Sequence, residues 1–298
     1  VKRQIRTSGQ SATHILKRAR YLFMKWMSPL ALLTLAACCT VFAGCVQSPG
    51  TDDARVEMLM ILNGMQGEID GALTAIDRSA EMTATNLTRT GLGGPDVDAL
   101  LSEALEADPS VITAIVIARN GTVTAVQPEI AELAGADLSD QQVVQEVFAR
   151  NVPMMSDLFA LRQGGYAATI EYPVFSSDGQ VIGAVSLSFQ PDVLVRTYAE
   201  PAVAGTSCVV MVTQPDGLVL YDADSKEIGK ETFNDTLYAD FPELLDIARQ
   251  HEQKRSGHAA YSFYGTGSGK IVRKEMYWTT VGLYGTEWRL SVVREIGA

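Results

Sequence analysis

Apolar or small side chains recur at Met58, Leu62, Met65, Ile69, Leu73, Ile76, Ala80, Thr83 and Leu87, at gaps of three and four. That spacing predicts a helix with one buried stripe. Asp52 and Asp53 suit its N-terminus, and Gly91-Leu92-Gly93-Gly94-Pro95 stops it. About 35 residues at 1.5 Å each span roughly 50 Å, enough to run past two small domains in turn. A coiled-coil seam in a homodimer is the rival reading of the stripe. Gly64, Gly67 and Gly71 point to close packing of this helix against something flat.

Beyond the helix the pattern shortens. A second helix over 96–107 precedes Asp108-Pro109 and a strand over 111–118; Asn120-Gly121 is a hairpin turn that returns through 122–126. Ser139 and Gln142 predict a capping box for a helix ending at Ala149. Strands over 167–175 and 180–189 flank the turn Ser177-Asp178-Gly179. This predicts one antiparallel sheet with helices, a small α+β domain. The order then recurs: strand 207–214, turn Asp216-Gly217, strand 218–222, a helix near 242–250, and strands near 258–264, 273–281 and 288–293. Asn120-Gly121 maps onto Asp216-Gly217, and Gly165-Tyr166-Ala167-Ala168 onto His258-Ala259-Ala260-Tyr261, at similar offsets, which marks a structural repeat.

A long helix followed by two such units resembles the double Cache (PDC, PAS-like) extracellular sensor domain. The most specific stretch is Ser156-Asp157-Leu158-Phe159, then Ile170-Glu171-Tyr172-Pro173-Val174-Phe175, then Gly179 to Gly183 with Ala184-Val185. The family shows there a Ser-x-x-aromatic, a strand ending in Pro-Val, and Gly-x-x-x-Gly. The resemblance implies an α+β chain with its long helix over 52–94, a membrane-distal subdomain over 95–200 and a membrane-proximal one over 201–298. It also implies a small-molecule pocket over the distal sheet. Phe159 takes the aromatic position of the motif. Leu161 and Ser188 stand where amine-binding relatives carry acids, and residues 140–145 lack the Arg-x-Trp of amino-acid binders. The candidate ligand residues are therefore Ser156, Phe159, Arg162, Tyr166, Thr169, Glu171 and Ser188. Arg162 suits bidentate grip of a carboxylate and Ser156, Tyr166 and Thr169 supply hydroxyls, which favours a small organic acid over an amino acid. Tyr221, Tyr261, Phe263, Tyr277 and Trp278 are read as core of the second sheet, with a second pocket as the alternative.

The N-terminus changes where this happens. Residues 1–44 hold seven basic residues and no acidic ones; 26–42 are almost wholly apolar or small, and Val41-Phe42-Ala43-Gly44-Cys45 resembles the end of a lipoprotein signal. The expectation is an export signal over 1–44, with translation starting at Met24, a lipid on Cys45 at the outer face of the membrane, and a spacer over 46–51. Removing residues 1–44 takes seven positive charges away and the formal net charge from −11 to −18. Such a chain is a poor partner for nucleic acid. Cys38 and Cys39 fall in the signal and Cys45 carries lipid, which leaves Cys208 as a buried core thiol with no disulfide partner.

Catalytic motifs fail on their spacing. Gly265 to Lys270 imitates a phosphate loop, but Tyr264 takes the first-glycine position and Ile271 the Ser/Thr position, so it reads as a hairpin turn. His251 and His258 lie in no metal-ligand spacing, and no nucleophile elbow is present. Asn86, Asn120 and Asn234 head Asn-x-Thr sequons, of which Asn120 is better explained by its turn. The expectation is a non-enzymatic, lipid-anchored ligand-binding protein without cofactor, metal or output module. It would act through a separate signalling or transport protein. An envelope interaction protein with degenerate pockets is the alternative, and an extracytoplasmic hydrolase the third reading.

Overall fold

The computed structural model describes residues 51–161, 164–234, 236, 238–265 and 268–296. Cys38, Cys39, Cys45 and Arg162, with the export signal and most of the spacer, lie outside the described residues. Helix α1 (Thr51–Thr90) is followed by α2 (Pro95–Ala104) with a short 3-10 turn (Leu105–Ala107). The first subdomain continues through β1 (Val111–Ala118), β2 (Val123–Gln127), α3 (Gln142–Arg150), β3 (Met154–Met155), β4 (Phe159–Ala160), β5 (Tyr166–Phe175) and β6 (Val181–Phe189). After α4 (Pro191–Val203) come β7 (Cys208–Thr213), β8 (Val219–Asp222), α5 (Pro242–Gln253), β9 (Gly257–Tyr264), β10 (Ile271–Leu283) and β11 (Thr286–Glu295).

The two sheets have the strand orders β2-β1-β6-β5-β3 and β8-β7-β11-β10-β9, with every described pairing antiparallel and β4 added to β5. The second order reproduces the first strand for strand, so the repeat read from the sequence is a repeat of topology. The fold is α+β, one long helix and two tandem antiparallel sheets.

The stripe of α1 is buried as its spacing requires: Met58, Ile69, Leu73, Ile76, Ala80 and Leu87 are wholly inaccessible. With Leu62 and Met65 it joins one core with Ala168, Ile170, Val185, Leu187 and Phe189 of the first sheet and Val210, Val212, Trp288, Leu290 and Val292 of the second. One helix thus serves as the shared inner wall of both sheets, which is why it needs 40 residues. Smaller cores lie on the other faces, one under α3 and one under α5.

Polar contacts fix α1 and the subdomains to each other. Arg55 donates to Glu275 at 2.7 Å, and Gln66 to the Thr280 carbonyl at 3.1 Å. Asp77 accepts from the hydroxyls of Tyr172 in β5, at 3.0 Å, and of Tyr284 in the β10–β11 turn, at 2.5 Å. From that turn region Thr286 donates to the Met155 carbonyl at 2.6 Å. The Leu158 amide donates to Gln214 at 2.7 Å.

Two local expectations are corrected, and one element was not expected. Gly64, Gly67 and Gly71 sit on the open side of α1: a methyl group at any of them would meet nothing within 4 Å, so they pack against nothing described. Ser139 does not cap α3, which starts at Gln142 with no side-chain cap. Residues 137–139 instead close the β1–β2 turn, the Leu138 amide donating to the Gly121 carbonyl and the Ser139 amide to Asp137. Ser139 lies so close to Gly121 (φ 89°) that no other residue fits there. Helix α4, which links the two sheets, had no sequence signal strong enough to mark it; Pro191 opens it and Pro201 lies inside it.

Candidate functional site

Strand alternation sorts the first sheet into two faces. Ala168, Ile170 and Val174 of β5 and Val185, Leu187 and Phe189 of β6 face α1. The opposite face carries Thr169 and Glu171 of β5, Ala184, Ser186 and Ser188 of β6, and Thr113, Ile115 and Ile117 of β1. The register confirms the rows: Ser186 lies opposite Ile115 and Glu171, Ser188 opposite Thr113 and Thr169. This outer face has two halves. Toward β2 it is apolar, Ile115, Ile117, Val123, Val126 and Ala184 packing under Val144, Val147 and Phe148 of α3. Toward β5 it is polar.

Glu171 dominates the polar half. Its side chain is 1% exposed, and among the described residues Oε2 has no hydrogen-bond partner and Ser186 is the one hydrogen-bonding neighbour. No cation lies against it among the described residues, so burial pushes its carboxyl up to about 8, only partly offset by Ser186. Ser186 and Thr169 share a hydrogen bond of 2.5 Å, and Thr169 also donates to the Leu187 carbonyl at 3.2 Å.

Of the residues named from the sequence, the structure brings Thr169, Glu171 and Ser188 together. Ser156 adjoins them in a supporting part: its hydroxyl accepts from the Thr169 amide at 2.9 Å and donates to the Asp157 carbonyl at 2.8 Å. Phe159 lies opposite Ala167 at the sheet edge and is 40% exposed. Tyr166 is turned away, its ring against Gly229 (φ 80°) of the second subdomain, where any side chain would collide with it. Thr113 and Ser186 were missed. The alternation Ala184, Ser186, Ser188 was the signal available, since a strand places every second residue on one face.

The aromatic residues of the second sheet do not form one lining. Tyr277 and Trp278 are neighbours in β10 and so face opposite ways: Tyr221 and Tyr277 pack toward α1, Tyr261, Phe263 and Trp278 toward α5. A groove of about 560 Å³ lies elsewhere, between α1 and α4, lined by Met60, Ile61, Gly64, Met65, Tyr198 and Pro201 among others. It is open and mainly apolar, with Glu68 as its one charged side chain, so it lacks the converging polar groups of a small-molecule site.

Residues 71–191, which contain the polar face, match the HK/GC/Chemotaxis protein-like sensor domain. An extracellular ligand-binding receptor from Desulfohalobium retbaense superposes with a TM-score of 0.67 at 26% identity, over 80% of this chain and 40% of that one. The fold is a double Cache. The ligand-binding domain of the Pseudomonas aeruginosa chemoreceptor PctC, in complex with GABA, shares it at 15% identity and a TM-score of 0.59, over 79% of this chain and 96% of that one. So does the periplasmic sensory domain of the Campylobacter jejuni chemoreceptor Tlp1, at 13% identity and 0.56, over 80% and 92%. The chain spans two fifths of the length of the Desulfohalobium receptor, and close to the whole of the two chemoreceptor domains. No curated protein matches the sequence. The Desulfohalobium structure is described as an extracellular ligand-binding receptor and the PctC structure as a ligand-binding domain, so the fold is one that such proteins use.

Proposed function

We propose that the chain is an exported sensor module that binds a small molecule on the outer face of its first sheet, with Glu171 as the charged group of the site. The observation that carries this is a fully buried carboxyl with an unpartnered oxygen, set among the hydroxyls of Thr169, Ser186 and Ser188. Burying an ionisable group without a partner is costly, so such a group is retained where a ligand completes it. The preference for a small organic acid rests on Arg162, outside the described residues. The described charge favours a ligand that presents an amine, and the complexes of PctC with GABA and of Pseudomonas fluorescens CtaA with L-serine show this fold holding such molecules. Glu171 is largely protonated at neutral pH; an arriving ammonium would stabilise the carboxylate and release its proton. Affinity is then expected to rise as pH approaches 8.

The signal-type N-terminus supports export and anchoring through a lipid on Cys45, and in this reading a separate signalling or transport protein receives the ligand-dependent state. Binding without turnover belongs to the same reading: among the described residues neither ring nitrogen of His251 makes a hydrogen bond, and the hydrogen bond described for the His258 ring goes to the Glu275 carboxylate. A second reading, an envelope interaction protein with a degenerate pocket, is favoured by the apolar packing of α3 over the other half of the same face.

Thermal-shift measurements with small amines and amino acids test the assignment. They should stabilise the protein, and Glu171→Gln should abolish that effect. Equal stabilisation of the variant would overturn the role of Glu171. No stabilisation by amines or carboxylates would overturn ligand binding and leave the second reading.

A further inference from the structure

The second subdomain contains its own group of buried, unpaired polar side chains. His251 of α5 is wholly inaccessible, and both of its ring nitrogens lack partners among the described residues. Its ring lies between Phe233, centroids 5.9 Å apart, and Trp278, centroids 4.8 Å apart. The hydroxyls of Ser291 and Thr213 are equally buried and equally unpartnered. The register sets Ser291 opposite Trp278, and Arg289 between Thr213 and Thr280, so all five share the sheet face beneath α5. Arg289 reaches α5 itself, donating from Nε to the His251 carbonyl at 2.8 Å.

The buried charge beside this group is the guanidinium of Arg289. Arg289 is 3% exposed and pairs with Glu287 at 2.8 Å, but Arg255 holds the other oxygen of the same carboxylate, also at 2.8 Å. Two guanidinium groups share one acid. A neutral imidazole, two hydroxyls and a buried guanidinium, with indole and phenyl rings alongside, suit a compact anion with a small apolar end. We propose that the membrane-proximal subdomain binds a small monocarboxylate beneath α5, between His251, Ser291, Thr213 and Arg289. This site is separate from the one at Glu171 and does not depend on it.

The test is an acetate titration of the full chain, followed through the imidazole nitrogen resonances of His251, with sodium chloride at matched ionic strength as control. The expected result is a saturable shift caused by acetate and not by chloride, present also in Glu171→Gln. Ser291→Ala and Thr213→Val remove unsatisfied groups and so should fold; each should weaken acetate about tenfold, the size of one lost charge-assisted hydrogen bond. Absence of a saturable shift, an equal shift with chloride, or undiminished affinity in both variants would overturn the proposal and leave water as the occupant. Loss of the shift in Glu171→Gln would overturn the independence of the two sites.

Discussion

Glu171 and Glu275 occupy corresponding strands of the repeat, β5 and β10, and both are 1% exposed, yet they live in opposite surroundings. Glu275 faces α1 and is ringed by Arg55 at 2.7 Å, Arg294 at 2.9 Å and His258 at 2.9 Å. Burial alone would raise its pKa, but the hydrogen bonds from His258, Arg294 and Arg55 outweigh it and hold the carboxyl below its ordinary value. Glu171 faces outward with no cation against it among the described residues, and is raised. The same residue type at the same depth is a fastener in one sheet and an unmet demand in the other. What separates the two, among the described residues, is whether an opposite charge lies against the acid.

The largest expected effect comes from removing the fastener. Glu275→Ala leaves Arg294 largely buried without its partner and should cost about 3 kcal/mol in denaturant unfolding; a change within error of zero would show that the cluster is not structural. The pH dependence sharpens the contrast. Because the folded pKa of Glu171 lies above its unfolded value, its contribution is fully present below about pH 4.5 and is lost as pH rises through about 8. Glu275, with a lowered folded pKa, does the reverse: its contribution is present above its unfolded value and lost on acidification. His251, lowered to about 4 by burial and by Arg289, likewise costs stability as pH falls below 6.5. Between about pH 4.5 and 6.5 the opposed contributions of Glu171 and His251 nearly cancel, so stability should be level there, drop on further acidification, and fall by up to about 1.4 kcal/mol per pH unit from pH 6.5 to pH 8. Glu171→Gln should flatten that alkaline limb and gain on the order of 3 kcal/mol at pH 8. An unchanged limb in the variant would assign it to another group. The smallest effect lies away from both acids: Gly67→Ala, on an open helix face, should add about 0.5–1 kcal/mol to thermal stability, unless that face is covered in solution.

Much of this architecture was legible because it depends on local periodicity. The α1 stripe, the Asn120-Gly121 and Asp216-Gly217 turns and the long strands each carry their signal in adjacent residues. The double Cache resemblance then ordered them. The site was less legible because it depends on which faces meet. Ser188 was singled out by its position on the last strand and Thr169 and Glu171 by their nearness to the motif, but nothing local shows that Tyr166 turns to Gly229, or that Glu275 finds a cation on a helix 220 residues earlier. The same holds for Ser139, whose motif predicted a cap and whose neighbour in space, Gly121, gave it a turn to close.

The β10–β11 turn has a mechanical consequence. Tyr284 shares Asp77 with Tyr172, the residue next to Glu171, and Thr286 holds the carbonyl of Met155, whose neighbour Met154 lies opposite Glu171. The strand that carries the buried acid and its neighbour β3 are thus gripped by the second sheet and, at β5, by the middle of α1. A ligand that shifts β5 by a fraction of an ångström pulls on three elements at once, so the two sheets are geared together at the tooth where charge would first arrive.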